Sequence, residues 1–197
     1  MKATVEEISR DPLRDGILLT LRICAPAAER VQVYRVRRED YESFFALSVG
    51  DALDMEELMP LIAEEEESRA YTRALKILGS ADNTKRALER KLTERGFAPS
   101  AACAAVLRME KEGYLREEEM LLRQLAVFKK RLWGPGKFLP PLLSKGFSRE
   151  LIERARDRAR DEGIYDEDVV KAELIDRFSP SSDAERRALL YKYGFRP

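Results

Sequence analysis

The phrase LTERGF at residues 92–97 returns as LLSKGF at 142–147 and as LYKYGF at 190–195. In each copy a leucine stands four residues before a glycine, and a phenylalanine follows the glycine directly. The glycines are Gly96, Gly146 and Gly194, and the spacing from each to the next is nearly constant. A repeat period of roughly 50 residues is typical of tandem structural units that each contain a few helices.

The glycines predict where helices end. A helix commonly stops on a residue in the left-handed backbone region, which glycine reaches without a steric clash. A second glycine, Gly113 or Gly163, follows at the same distance after the first in both complete copies. Each unit is therefore predicted as helix, Gly-Phe turn, helix, glycine turn, helix. Apolar residues at i, i+4 and i+8 give the middle helix a buried face; they are Ala101, Ala105 and Met109, then Leu151, Ala155 and Ala159.

These patterns predict a mainly α fold with tandem three-helix modules in an elongated array, preceded by a small antiparallel β element. Strands with β-branched residues and partial alternation are expected at 3–9, 17–24 and 30–38. We expect the strands and connecting helices in 1–66, module 1 in 67–115, module 2 in 116–165, and a truncated module 3 in 166–197.

Local signals also predict several helix limits. EDYESFFAL at 39–47 is typical of a short helix. Asp54 and Glu57 form a D-x-x-E capping box, which predicts that a helix begins there. Asn83 or Thr84 is expected to cap the next helix. Pro140 and Pro141 are expected to shorten or bend the helix of module 2 that contains them.

Composition excludes several classes of function. Net charge is zero, which is unlike a histone-type DNA-binding protein, and no histidine is present for acid–base catalysis or an HExxH zinc site. The two cysteines, Cys24 and Cys103, have no CxxC spacing, which favours a reducing compartment. No apolar stretch approaches the roughly 18 residues of a membrane span, and the N-terminus does not resemble a signal peptide. We expect a cytoplasmic monomer that binds no membrane, metal or cofactor.

One segment departs from the charge balance. From Arg123 to Arg149 there are seven basic residues and no acidic ones, namely Arg123, Lys129, Lys130, Arg131, Lys137, Lys145 and Arg149. The aromatic residues Phe128, Trp133 and Phe138 are interleaved with them. A basic patch with aromatic residues is a candidate surface for phosphates or an acidic protein. The alternative is a solvated helix face with both phenylalanines in the core, and Trp133 fits the core least well.

Two weaker signals accompany this segment. Arg86 and Arg90 share a helix face in module 1, where a solvated surface is the favoured interpretation. GPGKF at 134–138 resembles the end of a Walker motif only superficially, because it lacks the GxxxxGK[ST] pattern. No group of residues points to catalysis.

Four phrases together resemble the RecX family, the regulatory proteins that modulate the bacterial recombinase RecA. LSVGDALDMEEL (47–58) is similar to the segment that joins the family's N-terminal strands to its helices. ALKIL (74–78) with ALERKLTERGF (87–97) is similar to its first-module phrase. GPGKFLPPLLSKGF (134–147) and RRALLYKYGF (186–195) are similar to the second and third. The likeness covers nearly the whole chain, and it departs from the family at 79–84, 116–117 and 140–141.

The resemblance implies three tandem three-helix modules and a protein that is not an enzyme. It implies binding to RecA–DNA filaments along their groove, with inhibition of ATP hydrolysis and strand exchange, and it leaves direct contact with DNA open. We expect the filament-facing surface to include Lys129, Lys130, Arg131, Trp133, Lys137, Lys145, Arg86 and Arg90.

Two rival functions stay open. Three-helix units resemble helix-turn-helix domains in outline, so the chain is alternatively a DNA-binding module that acts alone. Its zero net charge counts against that interpretation. The other rival is a scaffold for an unrelated protein partner.

Overall fold

A computed structural model describes residues 2–12, 15–25, 28–45 and 47–196. Four strands lead the chain: β1 (Lys2–Arg10), β2 (Gly16–Ala25), β3 (Ala28–Arg37) and β4 (Ala52–Asp54). Their order in the sheet is β3-β2-β1-β4, and each neighbouring pair is antiparallel. The three predicted strands are confirmed. The additional strand β4 has only three residues, which is too short for a visible alternation.

Helices joined by short connections make up the rest of the described chain. They are α1 (Arg38–Asp40), followed by a π-helical turn at Tyr41–Phe45, α2 (Met55–Leu78), α3 (Lys85–Thr93), α4 (Pro99–Lys111), α5 (Glu117–Lys130), α6 (Pro135–Ser144), α7 (Arg149–Asp161), α8 (Glu167–Phe178) and α9 (Asp183–Tyr193). A mainly helical chain with a small N-terminal antiparallel sheet is thereby confirmed. Residue 46, inside the helix expected at 39–47, lies outside the described residues.

The residues divide into two compact units, Met1–Leu75 with Leu92–Leu107 and Lys76–Lys91 with Arg108–Pro197. The first unit contains the sheet. Alternate residues of β2 are buried against the start of α2, because side chains on one face of a strand repeat every second position. They are Ile17, Leu19, Leu21 and Ile23, and Leu58 of α2 joins the same cluster. The limits of the three modules remain a prediction.

The predicted helix starts are confirmed at two caps. The Asp54 carboxylate accepts a hydrogen bond from the backbone N–H of Glu56 at 3.0 Å, and α2 begins at the next residue after Asp54. The Thr84 hydroxyl accepts from the N–H of Ala87 at 3.1 Å, so Thr84 caps α3. Each cap satisfies a backbone donor that has no partner within its helix.

All three Gly-Phe turns close their helices in the same way. Gly96, Gly146 and Gly194 have φ of +87°, +96° and +86°. Each glycine N–H donates to the carbonyl three residues earlier, and the following phenylalanine N–H donates to the leucine carbonyl five residues earlier. This pair of hydrogen bonds is the Schellman motif. The predicted role of the repeated phrase as a helix end is confirmed.

The second Gly-Phe turn also docks on the start of α3, within the second unit. The Thr84 hydroxyl donates to the Lys145 carbonyl at 2.7 Å. A Cβ added to Gly146 would lie 2.9 Å from the Thr84 oxygen and 3.1 Å from Cβ of Arg86. The backbone at Gly146 therefore approaches the earlier helix too closely for a side chain.

The third Gly-Phe turn docks on the start of α6 in a similar way. The Gly134 N–H donates to the Tyr193 carbonyl and the Gly136 N–H to the Gly194 carbonyl, both at 2.8 Å. A Cβ on Gly134 would lie 2.6 Å from the Gly194 oxygen. The third Gly-Phe turn, at residues 193–195, therefore packs directly against the two glycines of WGPG at 133–136.

Helix α6 continues across both of its prolines. It has ten residues, so it is not shorter than α3, which has nine and ends on the first Gly-Phe turn; the expected bend at the prolines stays a prediction. Phe138 and Leu142 are buried in the core of the second unit. The prolines lie on the opposite, exposed face, which consists of Lys137, Pro140, Pro141, Ser144 and Lys145.

Candidate partner-binding surface

Three consecutive basic side chains lie at the C-terminal end of α5. Lys129 and Lys130 lie in its last turn, and Arg131 is the C-cap residue. The carbonyl groups at a helix C-terminus carry partial negative charge, which stabilises nearby cations. Leu132 then adopts φ of +55° in place of the usual glycine, and its side chain is buried in the core. Burial of this leucine helps to offset the cost of a left-handed backbone and fixes the direction in which the chain leaves α5.

Trp133 contacts both the basic side chains and the hydrophobic core. Its ring stacks on buried Phe128, with centroids 5.6 Å apart and planes 12° apart. The Arg131 guanidinium lies 5.1 Å from the centroid of the indole, and Lys137 Nζ lies 5.7 Å from it. These are cation–π distances. The structure therefore brings Arg131, Trp133 and Lys137 together, and Trp133 is half-buried against the core.

Aromatic stacking continues inward from Trp133. Phe128 and Phe138 are parallel at 5.3 Å, and Phe138 meets Tyr165 edge-on at 5.5 Å. Both phenylalanines are buried, as the core interpretation of the sequence expected. The Tyr165 hydroxyl donates to the Trp133 carbonyl at 2.9 Å, which holds the turn after α5 in place.

Burial, with a smaller contribution from Glu167, raises the pKa of Tyr165 above its ordinary value of 10.0. The unfolded chain therefore loses this proton first as pH rises. We expect the free energy of unfolding to fall as pH increases beyond about 10. Urea titrations between neutral and strongly alkaline pH test this, with Tyr165→Phe as the comparison. A Tyr165→Phe variant whose stability falls as steeply as that of the wild type would contradict the assignment to Tyr165.

A cationic strip follows the exposed face of α6. Lys137 lies near its start and Lys145 just after its end, about 12 Å apart at 1.5 Å per helical residue. Arg86 lies beside the turn at Gly146. We define the cationic surface as Lys130, Arg131, Trp133, Lys137 and Lys145. Among the residues that the structure describes, none of its four cations forms an ion pair with a carboxylate.

Other predicted residues are placed differently. Lys129 is half-buried, and its Nζ donates to the Gly163 carbonyl at 3.0 Å at the end of α7. Arg90 lies on the exposed side of α3, one helical turn after Arg86. Arg123, from the basic run, pairs with Asp82 at 2.7 Å. Lys129 thus has a structural contact, and Arg123 is neutralised.

Sequence reasoning missed Tyr193. Its ring centroid lies 5.4 Å from Lys137 Nζ, so this lysine has two aromatic neighbours. Tyr193 directly precedes Gly194 of the third repeated phrase, but only the docking of that phrase on α6 brings it to Lys137. No local pattern predicts such a long-range contact.

Two further features are absent from the described ranges. Within them, no three His, Cys, Asp or Glu side chains are grouped so that they could hold a metal ion. Likewise, no helix there combines the length and apolar character needed to cross a membrane.

Comparison with known proteins gives two relatives in sequence. The Regulatory protein RecX of Trichlorobacter lovleyi is 31% identical over 125 residues, which are 61% of this chain and 80% of the relative. The Regulatory protein RecX of Thermus thermophilus is 34% identical over 93 residues, which are 47% of this chain and 64% of the relative. No protein-family model matches the chain.

Solved structures share the fold. A crystal structure of a regulatory protein RecX superposes with a TM-score of 0.54 at 17% identity, covering 98% of this chain and 94% of that one. The crystal structure of RecX from Lactobacillus salivarius gives a TM-score of 0.52 at 18% identity, covering 67% and 90% respectively. At these identities the likeness concerns the fold alone.

Proposed function

Because this chain belongs to the RecX family of regulatory proteins, we propose that it binds filaments of the recombinase RecA on DNA and inhibits their ATP hydrolysis and strand exchange. It acts by binding and catalyses no reaction itself. The cationic surface makes the main contact in this proposal, with Lys129, Arg86 and Arg90 beside it.

The observation that carries this proposal is a local excess of positive charge on a neutral chain. Four cations of the cationic surface have no carboxylate partner among the described residues. Other arginines have carboxylate partners, for example Arg158, which pairs with Glu118 and Glu162 at 3.0 and 2.7 Å. Unmatched cations attract a polyanion or an acidic protein surface without a cost for breaking internal ion pairs.

The physical character of the surface supports a filament as partner. Trp133 and the prolines of α6 supply rigid apolar area, which loses little conformational entropy on binding. The lysines and arginine supply long-range attraction that weakens with salt. Since net charge is zero, attraction to bare DNA is modest, and contact with both protein and DNA in a filament adds to it.

Charge reversal tests the surface directly. We expect Lys130→Glu with Arg131→Glu to raise the concentration needed for half-inhibition of RecA ATPase roughly tenfold, because attraction becomes repulsion. The measurement is ATP hydrolysis by RecA on single-stranded DNA with titrated protein.

A matched control makes the same change in net charge elsewhere. Lys111→Glu with Arg154→Glu alters two exposed positions on α4 and α7, and we expect nearly normal inhibition. Circular dichroism verifies that both double variants are folded. If the folded Lys130/Arg131 variant inhibits as well as the wild type, the cationic surface has no part in the mechanism.

The rival functions predict different results. A DNA-binding module that acts alone would shift bare single- or double-stranded DNA in an electrophoretic gel as strongly as it shifts RecA-coated DNA. A scaffold for an unrelated protein would leave RecA ATPase unchanged at every concentration. Either result would overturn the proposal of a filament-directed inhibitor.

A further inference from the structure

A cavity of about 720 Å³ opens in the second unit beside the docked third Gly-Phe turn. Its walls come from α6, from α7 with the start of α8, and from the end of α9 with the segment after it. The lining residues that matter chemically are Lys137, Leu139, Arg156, Glu167, Tyr191 and Arg196. The volume lies in the range of about 300–1,000 Å³ that small-molecule sites occupy.

Positive charge predominates in this cavity. Its one carboxylate, Glu167, is bound by Arg156 at 2.9 Å and by Lys171 at 3.2 Å. Lys137 and Arg196 form no ion pair with any residue that the structure describes. The cavity thus offers two unneutralised cations to an anionic ligand.

An exposed aromatic side chain lines the same cavity. Tyr191 is 80% exposed, the largest value among the exposed large hydrophobic residues described. A tyrosine in that position contributes little burial energy to folding, but its ring is available for stacking. Leu139, half-buried on α6, adds apolar surface.

From the flat ring, the two cations and the size, we infer that this cavity binds a nucleoside 5′-monophosphate. The base stacks on Tyr191 against Leu139, and the phosphate lies between Lys137 and Arg196. The same chemistry occurs in a free nucleotide and in the 5′-phosphorylated end of a DNA strand. The site shares Lys137 with the cationic surface but is otherwise distinct from it.

Calorimetric titration of the full chain with adenosine 5′-monophosphate tests the inference. We expect saturable binding that Tyr191→Ala weakens about tenfold, the loss typical of one base–aromatic stack. Arg196→Gln is expected to weaken it severalfold through the lost charge. The matched controls are Tyr114→Ala and Arg154→Gln at exposed positions outside the cavity, and both should bind like the wild type.

The components of the ligand provide a second check. Adenosine and inorganic phosphate should each bind at least about tenfold more weakly than the nucleotide, because each makes only part of the contact. The inference is overturned if the wild type shows no saturable binding at millimolar nucleotide. It is also overturned if phosphate alone binds as tightly, or if Tyr191→Ala binds normally.

Labelled oligonucleotides distinguish the two sources. If a 5′-phosphate strengthens binding of a single strand, and Tyr191→Ala abolishes that gain, the ligand is a strand end. If the phosphate has no effect while the free nucleotide shows the expected variant pattern, the ligand is a free nucleotide. If Arg196→Gln weakens nucleotide binding but inhibits RecA normally, this cavity is separate from the proposed filament contact.

Discussion

Gly194→Ala is expected to lower the free energy of unfolding by about 2–5 kcal/mol. Its φ of +86° costs an L-residue about 1–2 kcal/mol. The new Cβ would also lie 2.6 Å from the backbone nitrogen of Lys137, and overpacking of this kind costs about 1–3 kcal/mol. Backbone atoms cannot rotate away as a side chain can. Urea denaturation followed by circular dichroism measures the loss.

Gly113→Ala separates the two contributions. Gly113 has φ of +79°, but an added Cβ would meet nothing within 4 Å. We therefore expect only the backbone cost of about 1–2 kcal/mol. Equal losses for Gly113→Ala and Gly194→Ala would show that the close approach of Gly194 to Lys137 adds no cost to a side chain at this position.

Phe138→Ala is expected to cost about 3–5 kcal/mol, the usual range for a buried phenylalanine. Phe138 is fully buried, and its ring stacks on Phe128 and meets Tyr165 edge-on. Its removal leaves a cavity in the middle of the aromatic stack that supports Trp133. Chemical denaturation gives the stability, and the fluorescence of Trp133, the single tryptophan, reports on the local packing.

Phe178→Ala is the matched comparison. Phe178 is 50% exposed and touches Tyr193 at 5.7 Å between ring centroids. Because little apolar surface is lost, we expect a change of about 1 kcal/mol or less and unaltered Trp133 emission. A Phe138→Ala variant that is as stable as Phe178→Ala, with native fluorescence, would refute the supporting role of the stack.

Helix ends were predictable because their causes are local. A Schellman turn needs only a glycine and an apolar pair five residues apart, and the repeated phrase supplies both. The caps at Asp54 and Thr84 depend on hydrogen bonds spanning two or three residues. The long strands β1, β2 and β3 were predictable because their apolar and polar residues partly alternate. Strand β4 has too few residues for such a pattern to be visible.

The arrangement of the candidate surface was not predictable to the same degree. The run of basic residues was visible, but which cations stay unpaired depends on distant partners such as Asp82 for Arg123. Trp133 was expected to fit the core poorly, yet Phe128 stacks on it from the preceding helix. The glycines of WGPG indicated a turn from the sequence. In the structure they also allow the backbone of residues 193 and 194 to approach closely, which no local pattern predicts.

The docking of Gly194 on α6 also sets an order for events on the ribosome. The N–H of Gly136 stays without its carbonyl partner until residue 194 has been synthesised. At about 5–20 residues per second this delay lasts several seconds. The N-terminal sheet, whose last strand ends at Asp54, emerges complete long before. During translation, α6 is therefore made several seconds before the turn whose carbonyl groups accept from Gly134 and Gly136.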